Sequence, residues 1–304
     1  MKKSHCLLYC LIATFVMMTT FSCNNFKGSQ EIPAYIHVDT FLLTTNYPIE
    51  GAASHKITDV WLYIDDNLQG CYEMPATIPV LERGKHKVTL YPGIKLNGNS
   101  STRTYNPFYQ PYIIENIELK EKEVDTLRPT TTYYSLDDSD INFRFIEDFE
   151  RQVMLEETSD SDTTITRTDR DAPGIWNDAF NNSHYSGHVW LGTIATDTLD
   201  NFCIASEAYY DLPNQGNSIF LEIDYKTTDL FEVGLFAKIG TVESIPLVYV
   251  NPSPDRWNKI YINLGPNITD TQEAEYFKFY IAGRVDAGKE AEYYFDNIKL
   301  VYRD

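Results

Sequence analysis

Apolar and polar residues alternate in the later part of the chain. Ile219, Leu221, Ile223 and Tyr225 are spaced by two, and Phe220, Glu222, Asp224 and Lys226 fill the positions between them. A period of two places the two sets on opposite faces of a strand. Phe231, Val233, Leu235, Ala237 and Ile239 form a second such stripe, Ile260, Ile262 and Leu264 a third, and Phe277, Phe279 and Ile281 a fourth. The earlier part shows shorter runs rich in β-branched and aromatic residues, from Tyr35 to Leu43, Asp59 to Ile64, Lys85 to Tyr91 and Tyr112 to Leu119. Asp65-Asp66-Asn67 between two such runs is a hairpin signal, since Asp and Asn tolerate positive φ. No helical period interrupts residues 32–134, and in the remainder helix is confined to a turn at Asp178 to Asn181. Many short strands separated by Gly, Pro and Asn predict an all-β chain of sandwich or jelly-roll type. The acidic, apolar-poor stretch Ser135-Leu136-Asp137-Asp138-Ser139-Asp140-Ile141 reads as a linker. It divides a β-sandwich over 32–134 from a jelly roll over 142–304.

The first residues follow neither pattern. Lys2 and Lys3 precede an uncharged run from Cys6 to Phe21 that ends at Ser22-Cys23. A membrane-spanning helix needs ~20 apolar residues, and this run is shorter and closes on a small residue before cysteine, as a signal peptide does. Thr20-Phe21-Ser22-Cys23 resembles a lipobox, with Thr where Leu is usual. That resemblance implies cleavage after residue 22, lipid on Cys23, and residues 23–31 as a tether. Of the five cysteines, Cys6 and Cys10 leave with the signal. Cys71 and Cys203 remain, in different blocks, and are expected to be buried thiols rather than a disulfide.

Charge narrows the partners. With 25 Lys and Arg against 44 Asp and Glu the net charge is −19, which repels phosphate backbones and disfavours nucleic acid and anionic membrane surfaces. Hydrophobic residues make up 43% and aromatics 14% of the chain, well clear of a disordered composition.

Three resemblances add expectations. Val60-Trp61-Leu62-Tyr63-Ile64-Asp65-Asp66-Asn67-Leu68-Gln69-Gly70, then Pro75 to Leu81, then Gly84-Lys85-His86-Lys87-Val88, resembles the PEGA-type β-sandwich repeat, with Asp66 where a turn Gly is usual. That family is extracytoplasmic and non-catalytic. The segments Gly93 to Gly98 and Arg103 to Tyr112 resemble a family of Bacteroidetes lipoproteins, which implies lipid anchoring at the outer membrane and outer-membrane protein partners. Ile146-Glu147-Asp148-Phe149-Glu150, Tyr185 to Leu191, Trp257 to Ile262 and Tyr294-Phe295-Asp296-Asn297-Ile298-Lys299-Leu300 resemble the jelly rolls of carbohydrate-binding modules and their galactose-binding-like relatives. In those modules acids near the first and last strands hold a structural calcium, an ion that wants six to eight oxygens. The resemblance therefore implies Glu150 and Asp296 as calcium ligands, with Glu147 and Asp148 nearby.

Other candidates carry less. His184 and His188 are four apart, but Tyr185-Ser186-Gly187 between them breaks a helix and no third ligand has a fixed spacing, so a structural role is expected. No nucleophile elbow, phosphate-cradling Gly loop or Cys/His pair appears, and adjacent acids such as Asp65-Asp66 cannot face each other as glycosidic cleavage requires. The chain reads as non-catalytic. Trp190 and Trp257 fall inside strand runs and are expected in the core, whereas Trp176 follows the loop Asp171 to Ile175 and is the candidate sugar-stacking residue. Two functions follow: an adaptor subunit of an outer-membrane assembly, and a glycan-binding lipoprotein that uses its jelly roll.

Overall fold

The computed structural model describes residues 31–135, 141–168, 183–194 and 197–304. The signal peptide, Cys23, Trp176, the turn at Asp178 to Asn181 and the linker residues 136–140 lie outside the described residues.

Residues 31–135 fold into strands β1 Ala34–Val38, β2 Leu42–Leu43, β3 Asp59–Ile64, β4 Asn67–Glu73, β5 Ala76–Val80, β6 Gly84–Lys95, β7 Arg103–Tyr105, β8 Tyr112–Leu119, β9 Val124–Leu127 and β10 Thr130–Thr131, with a one-turn helix α1 at Tyr47–Glu50. One sheet runs β5-β1-β9, a two-stranded pair joins β10 to β2, and a five-stranded sheet runs β4-β3-β6-β7 with β8 also on β6. The expected hairpin is present: Asp65 and Asp66 adopt φ of 46° and 64°, and Ile64 pairs with Asn67. The Asp65 carboxylate accepts from His86 Nδ1 at 2.6 Å and from the Lys87 amide at 3.0 Å. Val60, Leu62 and Ile64 point into a core with Ile36, Val88 and Leu90.

Residues 141–304 add β11 Ile141–Glu147, β12 Glu156–Glu157, β13 Thr166–Arg167, β14 Gly187–Ile194, β15 Asp197–Leu199, β16 Asn201–Ala205, β17 Ile219–Thr227, β18 Phe231–Ile239, β19 Thr241–Val250, β20 Asn258–Asn263, β21 Phe277–Arg284 and β22 Ala291–Arg303. A six-residue helix α2, Gly265–Asp270, follows β20 with Pro266 in its first turn, a helix that the strand pattern around it does not announce. A seven-stranded sheet takes the order β13-β14-β22-β17-β20, with β11 on β22 and β15 on β14. A five-stranded sheet takes the order β12-β16-β21-β18-β19. The first and last long strands of this part do pair, as expected, along β11 and β22. The alternating stripes Ile219/Leu221/Ile223, Phe231/Val233/Leu235 and Phe277/Phe279/Ile281 meet between the two sheets and form one core. The chain is an all-β protein of sandwich type.

The other face of the seven-stranded sheet is also covered. Phe220, Tyr261 and Val301 belong to the core of residues 31–135, and the Phe220 ring meets Phe108 edge-to-face at 5.1 Å. Backbone joins the two parts as well, because Asn97 N donates to Tyr261 O at 2.8 Å and Leu96 bridges Tyr261. Glu222, Asp224 and Lys299, whose charge would suit a solvated face, are fully buried at this seam, and Lys259 is 4% exposed. Buried charges persist only when paired and hydrogen-bonded. Lys259 Nζ lies 3.1 Å from Glu222 and 3.4 Å from Asp224 and donates to Ser54 Oγ at 3.1 Å. Ser54 in turn donates to Asp224. Lys299 Nζ donates to the Ala52 carbonyl at 2.5 Å. Gly51 has φ of 70°, a conformation that strains an L side chain, and a Cβ there would also crowd Lys299 at 3.0 Å.

Candidate functional site

Residues 31–135 cover the part of the seven-stranded sheet around Phe220, Tyr261 and Val301, and the outer face of the C-terminal five-stranded sheet is a broad surface that they do not cover among the described residues. On β18 the inward positions are Val233, Leu235 and Ala237, so Glu232, Gly234 and Phe236 face outward. On β21 the same alternation turns Lys278, Tyr280 and Ala282 outward. Register sets Tyr249 beside Glu232, and Glu232 beside Ala282. Gly234 pairs with Tyr280, and Phe236 with Ser244 and Lys278. The absent side chain at Gly234 shapes this face: a Cβ there would sit 2.4 Å from the Tyr280 ring. The ring instead lies across the strand and stacks on Phe236 at 4.5 Å with 30° between planes.

Hydrogen bonds fix that ring. The Tyr280 hydroxyl donates to Glu232 and accepts from Ser244 Oγ at 3.1 Å. Burial, reinforced by the Glu232 bond, raises the phenol's pKa far above its ordinary value, so it remains a neutral donor. Tyr249 is 65% exposed, and the neighbouring Glu232 raises its pKa. Farther along, exposed Tyr210 meets Tyr276 at 5.4 Å. Tyr280 is 3% exposed and Phe236 is half-buried. The open aromatic surface is therefore Tyr249 with the accessible part of Phe236, beside an oriented carboxylate, and the buried Tyr280 ring supports Phe236 by stacking.

A second aromatic row lies on the outer face of the N-terminal five-stranded sheet. Trp61 meets Tyr105 at 6.3 Å, Tyr105 meets Tyr91 at 5.4 Å and Tyr91 meets Tyr63 at 5.3 Å. Arg103 borders it, bound to Asp59 at 3.2 Å and Glu73 at 2.7 Å. The sequence signal for both faces was the same: aromatics at the positions between the core stripes, Trp61 and Tyr63 on β3, Phe236 on β18, Tyr280 on β21.

The residues singled out from sequence fall elsewhere. Glu150 and Asp296 are brought to one neighbourhood by the segment 183–185: Glu150 Oε1 accepts from the amides of His184 and Tyr185 at 2.6 and 3.0 Å. Asp296 accepts from Ser183 Oγ at 3.0 Å and the Asn297 amide at 2.7 Å. Asp148 takes the Tyr47 hydroxyl at 2.7 Å, and Glu147 takes the amides of Phe149 and Met154 at 2.8 and 2.5 Å. These oxygens accept N–H and O–H donors from their own neighbourhood. Among the described residues no group of three or more His, Cys, Asp or Glu could hold a metal ion. Burial and the neighbouring Asp224 push the Asp296 carboxyl well above the usual carboxylate range. His188 stacks on Tyr294 at 4.5 Å, with burial lowering its pKa. Trp190 and Trp257 are half-buried rather than core, because Val189 and Leu191 take the inward positions beside Trp190. Cys71 and Cys203 are free and half-buried, and burial raises both thiols.

No family model matches the chain, and no curated protein matches it. Solved structures of carbohydrate-binding modules do resemble it. One from the β-sandwich superfamily of such modules shares 12% identity over 80% of this chain and 84% of its own, with a TM-score of 0.37. The C-terminal family 22 module of Clostridium thermocellum Xyn10B shares 14% identity over 52% of this chain and 92% of its own, TM-score 0.34. A family 11 module from Clostridium thermocellum, in complex with a β-1,3-1,4-mixed-linked tetrasaccharide, shares 15% over 51% and 92%, TM-score 0.34. Likeness of this degree transfers no ligand. Among the described residues no helix is long and apolar enough to cross a membrane.

Proposed function

We propose that this chain is a non-catalytic, lipid-anchored glycan-binding protein of the cell envelope, and that it holds neutral glycan chains on the outer face of the five-stranded sheet. The observation that carries the reading is exposed Tyr249 and half-buried Phe236 on one sheet face, with buried Tyr280 stacked on Phe236 and bonded to Glu232. An aromatic face packs on the C–H face of a sugar, while a few placed polar groups fix orientation. Glu232 is an acceptor for sugar hydroxyls, and the net charge of −19 disfavours acidic glycans. Lipid on Cys23 would hold the protein at the outer membrane. Native gel electrophoresis through neutral polysaccharides tests the reading: retardation on at least one of them, lost in Phe236→Ala, is expected, and unretarded migration through all of them would refute it.

A protein partner at the outer membrane is the second reading, favoured by the Trp61/Tyr105/Tyr91/Tyr63 row, since Trp and Tyr are enriched in the cores of interfaces. A stoichiometric co-purifying protein lost on Tyr105→Ala would support it.

A further inference from the structure

The outer side of the three-stranded sheet ends in apolar surface at the point where the described chain begins. Tyr35 pairs with Pro79 on one side and Val124 on the other. Val124 is 55% exposed, Leu81 just beyond β5 is 54% exposed, and Ile32 just before β1 is 37% exposed. Their neighbours Ile36, Ile78 and Val80 already fill the core from the inner side, so the outer set contributes nothing to it. Lys122 N ties back to the Pro33 carbonyl at 2.9 Å and Tyr35 N to the Glu123 carbonyl at 2.9 Å, which holds the β8–β9 turn beside the chain start. Charges of both signs border it: Arg83 pairs with Glu121 at 2.6 Å and Lys120 with Glu123 at 3.6 Å, and Glu31, Glu82 and Lys122 are their neighbours in sequence. This end therefore presents apolar side chains without a cationic excess.

Chain length says what covers it. Only residues 24–31 separate Cys23 from Ile32, and eight residues span at most ~28 Å even when fully extended. A lipid on Cys23 would keep Ile32, Tyr35, Pro79, Leu81 and Val124 within about one domain diameter of the bilayer, where a weak apolar contact gains from enforced proximity. We propose that this patch rests on the surface of the membrane that carries the anchor, dipping Ile32, Leu81 and Val124 to the boundary between headgroups and acyl chains. The inference rests on the lipid-anchor reading. Its partner is a zwitterionic lipid surface, because the charges of both signs and the acidic chain offer no attraction to anionic lipid.

Photo-cross-linking from the full, lipidated protein in phosphatidylcholine vesicles tests it. Benzoylphenylalanine replaces Leu81, Val124 or, as a control in the C-terminal sandwich outside the patch, the 68% exposed Tyr210. The expected result is phospholipid adducts at positions 81 and 124 in several-fold excess over position 210. Intact mass separates the two claims. Protein that carries the acyl chains but yields no excess of adducts at 81 and 124 overturns the patch alone. Protein whose mature N-terminus lacks acyl chains overturns the anchor, and the patch proposal with it.

Discussion

The Tyr133 hydroxyl donates a hydrogen bond at 3.1 Å to the Glu222 carboxylate, across a seam between residues 89 positions apart. Tyr133 is 2% exposed and Glu222 is fully buried, and Lys259 completes the pair from β20. Lys259→Met should therefore cost about 3–5 kcal/mol, because it leaves Glu222 and Asp224 buried without their cation. Tyr133→Phe should cost about 1–3 kcal/mol, the penalty of one unsatisfied buried acceptor. Chemical denaturation measures both, and equal losses would contradict the assignment of Lys259 as the central cation.

The seam should also respond to pH. Burial, with Lys259 nearby, lowers His55 from 6.5 to about 4. Between those values the unfolded chain binds a proton that the folded one does not, so His55 lowers stability as pH falls from 6.5 to 4, by an amount of order 3 kcal/mol. The raised carboxyls of Asp224 and Asp296 act oppositely over part of that range, since the folded state then holds the extra proton. The difference between wild type and His55→Leu isolates the histidine: wild type should lose more stability than the variant between pH 6.5 and 4.

Lys299 gives the alkaline counterpart. Burial lowers its amine from 10.5 to about 8. The unfolded chain keeps the proton up to 10.5, so this group raises stability as pH climbs from 8 towards 10.5. Melting temperatures measured across that window should rise less in Lys299→Met than in wild type, and parallel curves would remove the lysine from the seam.

Chelation tests the acids near the chain's first and last long strands. A calcium site wants six to eight oxygens, and among the described residues no three acids, His or Cys converge into a group that could hold an ion, so excess calcium and excess chelator should give the same melting temperature. A drop of a few degrees on chelation would instead match an ion bound at ~100 times its dissociation constant, about 2.7 kcal/mol, and would place calcium there as the resemblance implies.

How far the sequence could be read depends on whether a signal was local. The runs Asp59 to Ile64 and Tyr112 to Leu119 coincide with β3 and β8 because a half-buried strand writes its own period of two. The Asp65-Asp66 turn was legible for the same reason. The seam was not. Glu222, Asp224, Lys259 and Lys299 look like solvent-facing strand residues, and what buries them is Ser54, 170 positions from Asp224, and Tyr133, 89 positions from Glu222. The aromatic faces were half legible. Phe236 and Tyr280 stand at outward positions, where a large ring needs a reason, whereas the sugar-stacking candidate that sequence offers, Trp176, lies outside the described residues. The backbone gap at Gly234 that lets Tyr280 lie flat has no local signature.

Cys23→Ala separates anchoring from folding. The variant should leave the membrane fraction, or remain as unprocessed precursor, with an unchanged melting temperature for the folded part. Mature-length protein still membrane-bound after high-salt and carbonate washing would contradict lipid anchoring.

Binding by the outer sheet face is the central claim, and isothermal titration of a neutral oligosaccharide, taken from the polysaccharide that retards the protein most, tests it most directly. Wild type should bind with a measurable enthalpy, Phe236→Ala and Tyr249→Ala should each weaken binding by roughly tenfold, in line with about 1.4 kcal/mol for a lost aromatic contact, and Gly234→Val should abolish it by displacing Tyr280. Unchanged affinity in all three variants would place the sugar elsewhere and contradict the account.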